Sequence, residues 1–238
     1  MQHGIVVIPT YNESENLAEL VPRVLEQDPR LEVLVVDDAS PDGTGKLAED
    51  LAESTGRVHV LHRPLKQGLG PAYRAGISRA LDLGADFVIQ MDADFSHPPE
   101  KLPEMIAALE DHDVVSGSRY LNGITVVNWP IERILISYFA NWYARKVTGL
   151  AITDTTSGFR CIRRAMLAEI GFEKIRSNGY AFQIELNCRF VAHGARLLEL
   201  PFFFLDRTRG ESKLTLRIGV EAFWAVWRLR IVDWLGRL

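Results

Sequence analysis

A chain of 238 residues, 47% hydrophobic and 24% charged, can bury a sizeable core and has the balance of an ordinary globular protein. Two distant cysteines, Cys161 and Cys188, fit no metal or redox spacing, which argues against a disulfide framework and for a reducing, cytoplasmic setting. The net charge is −4, no secretory signal is visible and no run of 18 apolar residues occurs, so neither a secreted nor a membrane-spanning protein is expected.

The first half alternates strand and helix signals. Residues 4–9 are a β-branched run, and residues 12–27 place Leu17, Leu20, Val21, Val24 and Leu25 at helical spacing. A Val/Leu strand follows at 32–38, then a helix opened by Asp42-Gly43-Thr44 and a short strand at 58–61. A glycine-punctuated turn at 67–71 leads into another helix. Residues 86–91 form the next strand, Pro99 starts a helix where proline is tolerated, and 113–116 reads as a strand. This alternation predicts an α/β fold with a mostly parallel central sheet flanked by helices. In the second half, 131–147 is an aromatic helix, 153–160 a loop, 179–193 a helix, 197–205 a strand, and the tail from 216 is helical. No repeat, low-complexity stretch or linker divides the chain, so residues 1–238 read as a single domain.

The strand ends carry the chemistry. In open α/β sheets ligands bind at the carboxyl ends of the strands. Asp92-Ala93-Asp94 follows the apolar run 87–91. If the strand continues, both carboxylates point the same way and can share one hard divalent cation, Mg2+ or Mn2+, held against a diphosphate. Ser96 has the same parity and can add an oxygen. The plain alternative is a helix cap by Asp94 or Ser96, which three acidic strand ends in register disfavour. After the first strand, Tyr11 can stack on a base and Glu13 can accept hydrogen bonds, unless Asn12 or Ser14 simply caps the next helix. After the second, Asp37-Asp38 offers a carboxylate to ribose or base, and Ser40-Pro41-Asp42-Gly43 is good turn chemistry. Arg119 ends a fourth strand, where its planar fork suits a phosphate; a solvated ion pair is the alternative. Arg207 and Lys213 sit in a polar, cationic loop that either closes over a diphosphate or merely connects.

Taken in order, PTYNE (9–13), VVDDASPDGT (35–44), QMDADFSHPPE (90–100), GSRY (117–120), DTTSGFR (154–160) and RGESKL (209–214) resemble the dolichol-phosphate (polyprenol-phosphate) mannosyltransferases, a group of the family-two glycosyltransferases with a GT-A fold. The resemblance implies inverting transfer of mannose from GDP-mannose to a polyprenyl phosphate lipid. It implies a nucleotide-sugar half at 1–120 and an acceptor half at 121–238. It assigns Pro9, Tyr11, Glu13, Val36 and Asp38 to the nucleoside, Asp92, Ala93 and Asp94 to metal and diphosphate, and Arg207 and Lys213 to the donor phosphates. Arg119, Arg133 and Ser137 would receive the lipid phosphate. Some relatives carry glutamine in place of Ser96. The segment holding Gln183 and Glu185 would face the sugar, and Asp154, Ser157 and Arg160 would organise the acceptor loop.

A phosphate monoester is already ionised near neutral pH, so no general base is required and none of the six histidines is nominated. Asp92, Asp94 and Arg119 carry the catalytic expectation. Two other readings stay open: a hexosyltransferase using a UDP-sugar, and a nucleotide-binding module without turnover. A dinucleotide oxidoreductase is disfavoured because Pro9-Thr10-Tyr11-Asn12 replaces a Gly-rich phosphate loop.

Residues 207–238 hold seven Lys/Arg against three acids, a net +4 on an otherwise acidic body. Phe223, Trp227, Ile231, Trp234 and Leu238 share a helical stripe flanked by Arg217, Arg228, Arg230 and Arg237. This is the pattern of a helix lying in a bilayer interface, with a core-packing helix as the alternative. All five tryptophans fall in the second half. The expectation is a peripheral protein at the cytosolic face of a membrane, contacting lipid itself or through a separate membrane-anchoring subunit, with no nucleic-acid partner.

Overall fold

A computed structural model describes residues 3–205 and 216–235. In chain order the elements are β1 (Gly4–Thr10), α1 (Ser14–Gln27), β2 (Leu31–Asp37), α2 (Thr44–Thr55), β3 (Val58–His62), α3 (Leu69–Asp82), β4 (Phe87–Gln90), α4 (Leu102–Ala108) and β5 (Val114–Ser118). Then come β6 (Val126–Val127), α5 (Ile131–Thr148), β7 (Arg160–Arg163), α6 (Arg164–Glu169), α7 (Gly179–Ala192), β8 (Leu197–Pro201), β9 (Phe204–Leu205) and α8 (Leu216–Trp234).

Seven strands form one sheet in the order β3-β2-β1-β4-β7-β5-β8. Its pairs are parallel except for the two made by β7. Helices cover both faces, so the central strands are apolar on both sides rather than alternating. Ile5 to Ile8 in β1, and Leu31 with Val33 to Val36 in β2, are fully buried accordingly. Leu17, Leu20, Val21 and Val24 of α1 pack on one face with Leu102 and Met105 of α4. Tyr73 and Ile77 of α3 and Phe182, Leu186 and Phe190 of α7 pack on the other. Helices α5 and α8 form a smaller cluster with α7, through Ala144, Ile184, Cys188, Val226 and Leu229.

Two elements differ from expectation. The loop expected at 153–160 runs directly into β7, a strand that sequence reasoning missed. Arg160-Cys161-Ile162-Arg163 is short and charged at both ends, and becomes a strand because β4 and β5 hold it from both sides. The strand expected at 197–205 is two strands: β8 joins the main sheet, and β9 pairs with β6 in a separate ribbon. The start of α1 also differs. Neither Asn12 nor Ser14 caps it; Asp42 accepts the Ser14 amide (3.2 Å) and Thr44 Oγ1 accepts the Glu13 amide (3.0 Å), so the next loop caps the helix from outside.

Because β7 is antiparallel, it enters the sheet at the end where β4 and β5 finish. Gln90, Arg160 and Ser116 stand side by side there. The 153–159 segment is thereby delivered to the same rim as Asp92.

Candidate active site

Three consecutive parallel strand ends build the rim. Each is followed by a residue with positive φ: Asn12 (60°) after β1, Ala39 (55°) after β2 and Phe95 (60°) after β4. For alanine and phenylalanine this conformation is strained, at about 1–3 kcal/mol each. The sharp turns aim the side chains just before them.

Past the end of β4, where helices no longer cover both faces, the burial pattern becomes alternating. Ala93 turns into the core, and Asp92 and Asp94 turn outward. Tyr73 donates its phenol proton to Asp92 Oδ1 at 3.1 Å, and the Asp92 amide donates to His97 Nδ1 at 3.0 Å. His97 is 2% exposed and stacks on Phe159 at 4.9 Å. Burial holds its pKa below the ordinary histidine value, against the pull of Asp92 and Asp94, and the neutral ring is the form whose Nδ1 can accept. Burial, then the neighbouring Asp92, likewise keeps the Tyr73 phenol protonated. Ser96 donates both its hydroxyl (2.5 Å) and its amide (3.2 Å) to Asp94 Oδ1. Ser96 is itself buried, so here it orients a carboxylate.

At the neighbouring strand end, Asp38 accepts from Arg63 Nη1 at 2.6 Å in a pair whose side chains are both under 10% exposed. Burial raises the Asp38 pKa, with Arg63 opposing. Arg63 also donates to Gln67 Oε1 (2.7 Å), and Lys66 Nζ lies 3.8 Å over the Tyr11 ring, so the 63–67 segment borders the rim at Asp38 and Tyr11. Asp37 faces the turn, accepting from Ser40 and Thr10. The Val36 side chain is fully buried in the core, so only its main chain is available at the rim. Pro9 is half-buried opposite Val36. Glu13 accepts from Asn16 Nδ2 of its own helix at 2.9 Å.

Arg119 stands at the end of β5, on the far side of the rim. Its Nε and Nη2 make two hydrogen bonds to the carboxylate of Asp154 (2.7 and 2.8 Å), and Nη2 also reaches Thr156 Oγ1 (2.7 Å). Burial pushes the Asp154 carboxyl up, but the charge and hydrogen bonds of Arg119 outweigh it and hold the group below the carboxylate range. Glu199 of β8 accepts the Asp154 and Thr153 amides and fixes this loop from behind. Trp129 has two guanidiniums near its ring, that of Arg133 at 4.0 Å and that of Arg119 at 5.9 Å from the centroid. Tyr120 donates to Ser137 Oγ at 2.7 Å, which ties α5 to the end of β5. Arg119, Arg133 and Ser137 thus gather around Trp129 and Tyr120. Arg207 and Lys213 lie outside the described residues.

The whole fold is similar to a solved structure of glucosyl-3-phosphoglycerate synthase from Mycobacterium tuberculosis in complex with Mn2+, UDP-glucose and phosphoglyceric acid. The TM-score is 0.67 at 20% identity, covering 96% of this chain and 79% of that one. Over 216 residues the sequence is 46% identical to a polyprenol monophosphomannose synthase of Mycolicibacterium smegmatis, spanning 90% of this chain and 82% of that protein. Over 218 residues it is 45% identical to an undecaprenyl-phosphate mannosyltransferase of Micrococcus luteus, spanning 92% and 90%. Residues 5–171 match the family model described as glycosyl transferase family 2. The chain belongs to glycosyl transferase family 2.

Several residues that shape this glycosyltransferase's cleft escape a reading of the sequence. His97 is one of the six histidines given no role there, and its use is to hold the Asp92 main chain. In the sequence Tyr73 and Arg63 are only parts of a helix and a turn, since the signal that brings them in is spatial. Glu185 points away from the rim, accepting from Ser177 Oγ (2.5 Å) and Arg189 Nη2 (3.1 Å). Gln183 faces Arg160 instead. Two residues apart on a helix, the pair cannot share a face.

Proposed function

We propose that this glycosyltransferase moves mannose, with inversion, from GDP-mannose to a polyprenyl phosphate at a membrane surface. The observation that carries the reading is the meeting, at one sheet rim, of two outward carboxylates (Asp92, Asp94) with a fixed arginine platform (Arg119, Arg133) beside an exposed apolar surface. The names of the two curated relatives support a polyprenyl phosphate acceptor and mannose as the sugar.

Asp92 and Asp94 suit a hard divalent ion, Mg2+ or Mn2+. Among the described residues no third His, Cys, Asp or Glu joins them. That donor set fits an ion whose remaining positions are filled by a diphosphate and water. When bound, the ion supplies Lewis-acid stabilisation of the departing diphosphate. The protein's own part is positioning. Ser96 and Tyr73 orient the two carboxylates, and Asp38 with the Val36 main chain, Pro9, Tyr11 and Glu13 receives the nucleoside. Arg207 and Lys213 are assigned to the donor phosphates from their motif. Asp154 takes the Nε–Nη2 edge of Arg119, and we assign its Nη1 edge, together with Arg133 and Ser137, to the lipid phosphate.

The acceptor's lipid tail needs an apolar landing. On α5, Ile131, Leu135, Ile136, Tyr138, Phe139 and Trp142 are exposed. On α8, Trp224 is 66% and Trp234 81% exposed, while Ala225, Val226 and Leu229 face inward. Tyr143 stacks on Phe223 at 4.8 Å and joins the two helices. No helix among the described residues is long and apolar enough to cross a membrane. The exposed apolar residues of α5 and α8 support peripheral attachment, which we assign to the cytosolic face of a membrane. The insertion of β7 between β4 and β5 supports one unit over 1–238, with the nucleoside and metal residues in 1–120 and most of the acceptor side in 121–238, while Arg119 on one side and Arg207 and Lys213 on the other cross that division.

The deciding experiment is a donor screen with polyprenyl phosphate in Mg2+ or Mn2+. GDP-mannose should give the lipid-linked sugar, and chelation should abolish it. Product from UDP-glucose alone would replace the donor assignment. No product from any sugar nucleotide would leave a binding module.

A further inference from the structure

Asp38 and Arg63 form an ion pair just past the ends of β2 and β3. Their main chains are fixed at the same place: the Arg63 amide donates to the Asp37 oxygen at 2.8 Å, and the Asp38 amide to the Thr10 oxygen at 3.1 Å. Arg63 Nη1 reaches Asp38 Oδ1 at 2.6 Å. The Asp38 side chain keeps 7% of its surface, so its carboxylate is open only along a narrow edge.

The other half of the guanidinium is held as well. Nη2 donates to Gln67 Oε1 at 2.7 Å, and the Gln67 main-chain oxygen accepts from Asn178 Nδ2 at 2.9 Å. This turn lies so close to the start of α7 that a Cβ on Gly68 (φ 98°) would stand 2.4 Å from Asn178 Nδ2. A planar guanidinium anchored on both sides is pre-organised, and it sets how the Asp38 carboxylate is turned.

The charge matters as much as the geometry. Burial raises the Asp38 pKa and the charge of Arg63 opposes it, while the neighbouring Asp37 adds a smaller rise. Without Arg63 the carboxyl would move further toward the acid form. The anion can only accept a hydrogen bond, whereas the acid also donates one. Guanine and uracil carry a ring N–H on their pairing edge; adenine and cytosine carry a bare ring nitrogen there. Tyr11 stands next to Asp38, because the Asp38 amide bonds to Thr10, and an aromatic ring beside a polar edge is an arrangement that holds a base.

We propose that Arg63 is a positioning residue for base choice: it holds Asp38 as an anion at the rim, so that the cleft takes a base with a ring N–H, guanine or uracil, and rejects adenine and cytosine. The proposal rests on the assignment of Asp38 to the nucleoside.

The test compares GDP and ADP, each with Mn2+, on wild type and Arg63→Gln by calorimetric titration between about pH 6 and 8.5. Arg63→Gln keeps a donor for Asp38 and removes the charge. The readout is the ratio of GDP to ADP affinity, in which effects on the shared diphosphate cancel. So do those of Asp37, His62 and Lys66, the other titratable groups bordering the pair. Below its raised pKa the variant's Asp38 is neutral and loses the guanine N–H, and above it the anion returns. The ratio should therefore fall by about 10- to 100-fold at the acid end and recover as pH rises, by at most about tenfold per pH unit. Arg63→Lys should restore part of it. If Arg63→Gln does not fold, Gln67→Met decides: freeing one side of the guanidinium should lower the ratio by about 2- to 10-fold at the acid end. A ratio in the variant that is unchanged, or lowered equally at every pH, would make the pair purely structural and overturn the proposal. Wild type binding ADP as tightly as GDP would overturn it too. Asp38→Asn with unaltered GDP affinity would overturn the assignment of Asp38 to the nucleoside, and a wild type that binds neither GDP nor UDP would overturn the sugar-nucleotide reading itself.

Discussion

Asp94 and Ser96 show how little room the rim leaves for change. Ser96 gives Asp94 Oδ1 two hydrogen bonds, and in the proposed ion site such partners of a liganding carboxylate are worth about 10- to 100-fold in metal affinity. Ser96→Ala is expected to weaken Mn2+ binding in the presence of GDP by that order, read by calorimetric titration, with thermal stability nearly unchanged. Asp94→Asn keeps the shape and removes the charge, and should lower metal-dependent turnover by about a hundredfold or more. At the β5 end of the rim, Asp154 is fully buried against Arg119. Asp154→Ala would leave a buried guanidinium uncompensated, at a cost of about 3–5 kcal/mol in urea unfolding. The aspartates were legible in the sequence because spacing and strand parity suffice to place them. The groups that hold Asp92 and Arg119 were not, because Tyr73, His97 and Asp154 reach the rim from α3, a turn and the loop before β7.

Among the elements, α8 depends most on context. Its aromatic stripe was compatible with a core helix, and the structure turns the stripe outward, with Phe223, Trp227 and Ile231 about half exposed. Its arginines do not all follow. Arg228 donates to Ser177 Oγ at 2.8 Å and lies 3.8 Å from the buried carboxylate of Glu185, so it anchors α8 to the start of α7. Charge removal at Arg228 would therefore disturb packing as well as any lipid contact. The cleaner probe is apolar. Trp224→Ser with Trp234→Ser should cut co-sedimentation with anionic liposomes by about tenfold or more, given about 1.5–3 kcal/mol for each large side chain removed from water. Unchanged co-sedimentation would mean that some other surface meets the lipid.

For the molecule as a whole, the acid response follows from the Arg119–Asp154 pair. The Asp154 pKa is held below its unfolded value of 3.8, so its stabilising contribution is complete above about pH 4 and is lost as pH falls through the folded value. Asp113, held down by Arg196, and Asp28, held down by Arg30, act in the same direction. Stability should therefore fall steeply below about pH 4, and Asp154→Asn should flatten that limb in pH-dependent urea unfolding. The same pair sits where β5, α5 and the loop before β7 meet, so the surroundings of Arg119 should loosen before the β1–β2 part of the sheet. Hydrogen exchange at low pH would show protection lost at 153–157 before β1 and β2.

The alternation of strand and helix, the parallel sheet and the acidic strand ends are properties of local pattern. Hydrophobic period and turn chemistry act over a few residues, so they can be read without knowing the partners. The placement of β7 is different. Four residues with arginine at both ends have no strong preference of their own, and only the open edges of β4 and β5 make them a strand. With β7 in place, Arg160 stands beside Gln90, the loop before it reaches Asp92, and Asp154 meets Arg119. Those neighbours lie far apart along the chain, and only burial in a shared core brings them within hydrogen-bonding distance.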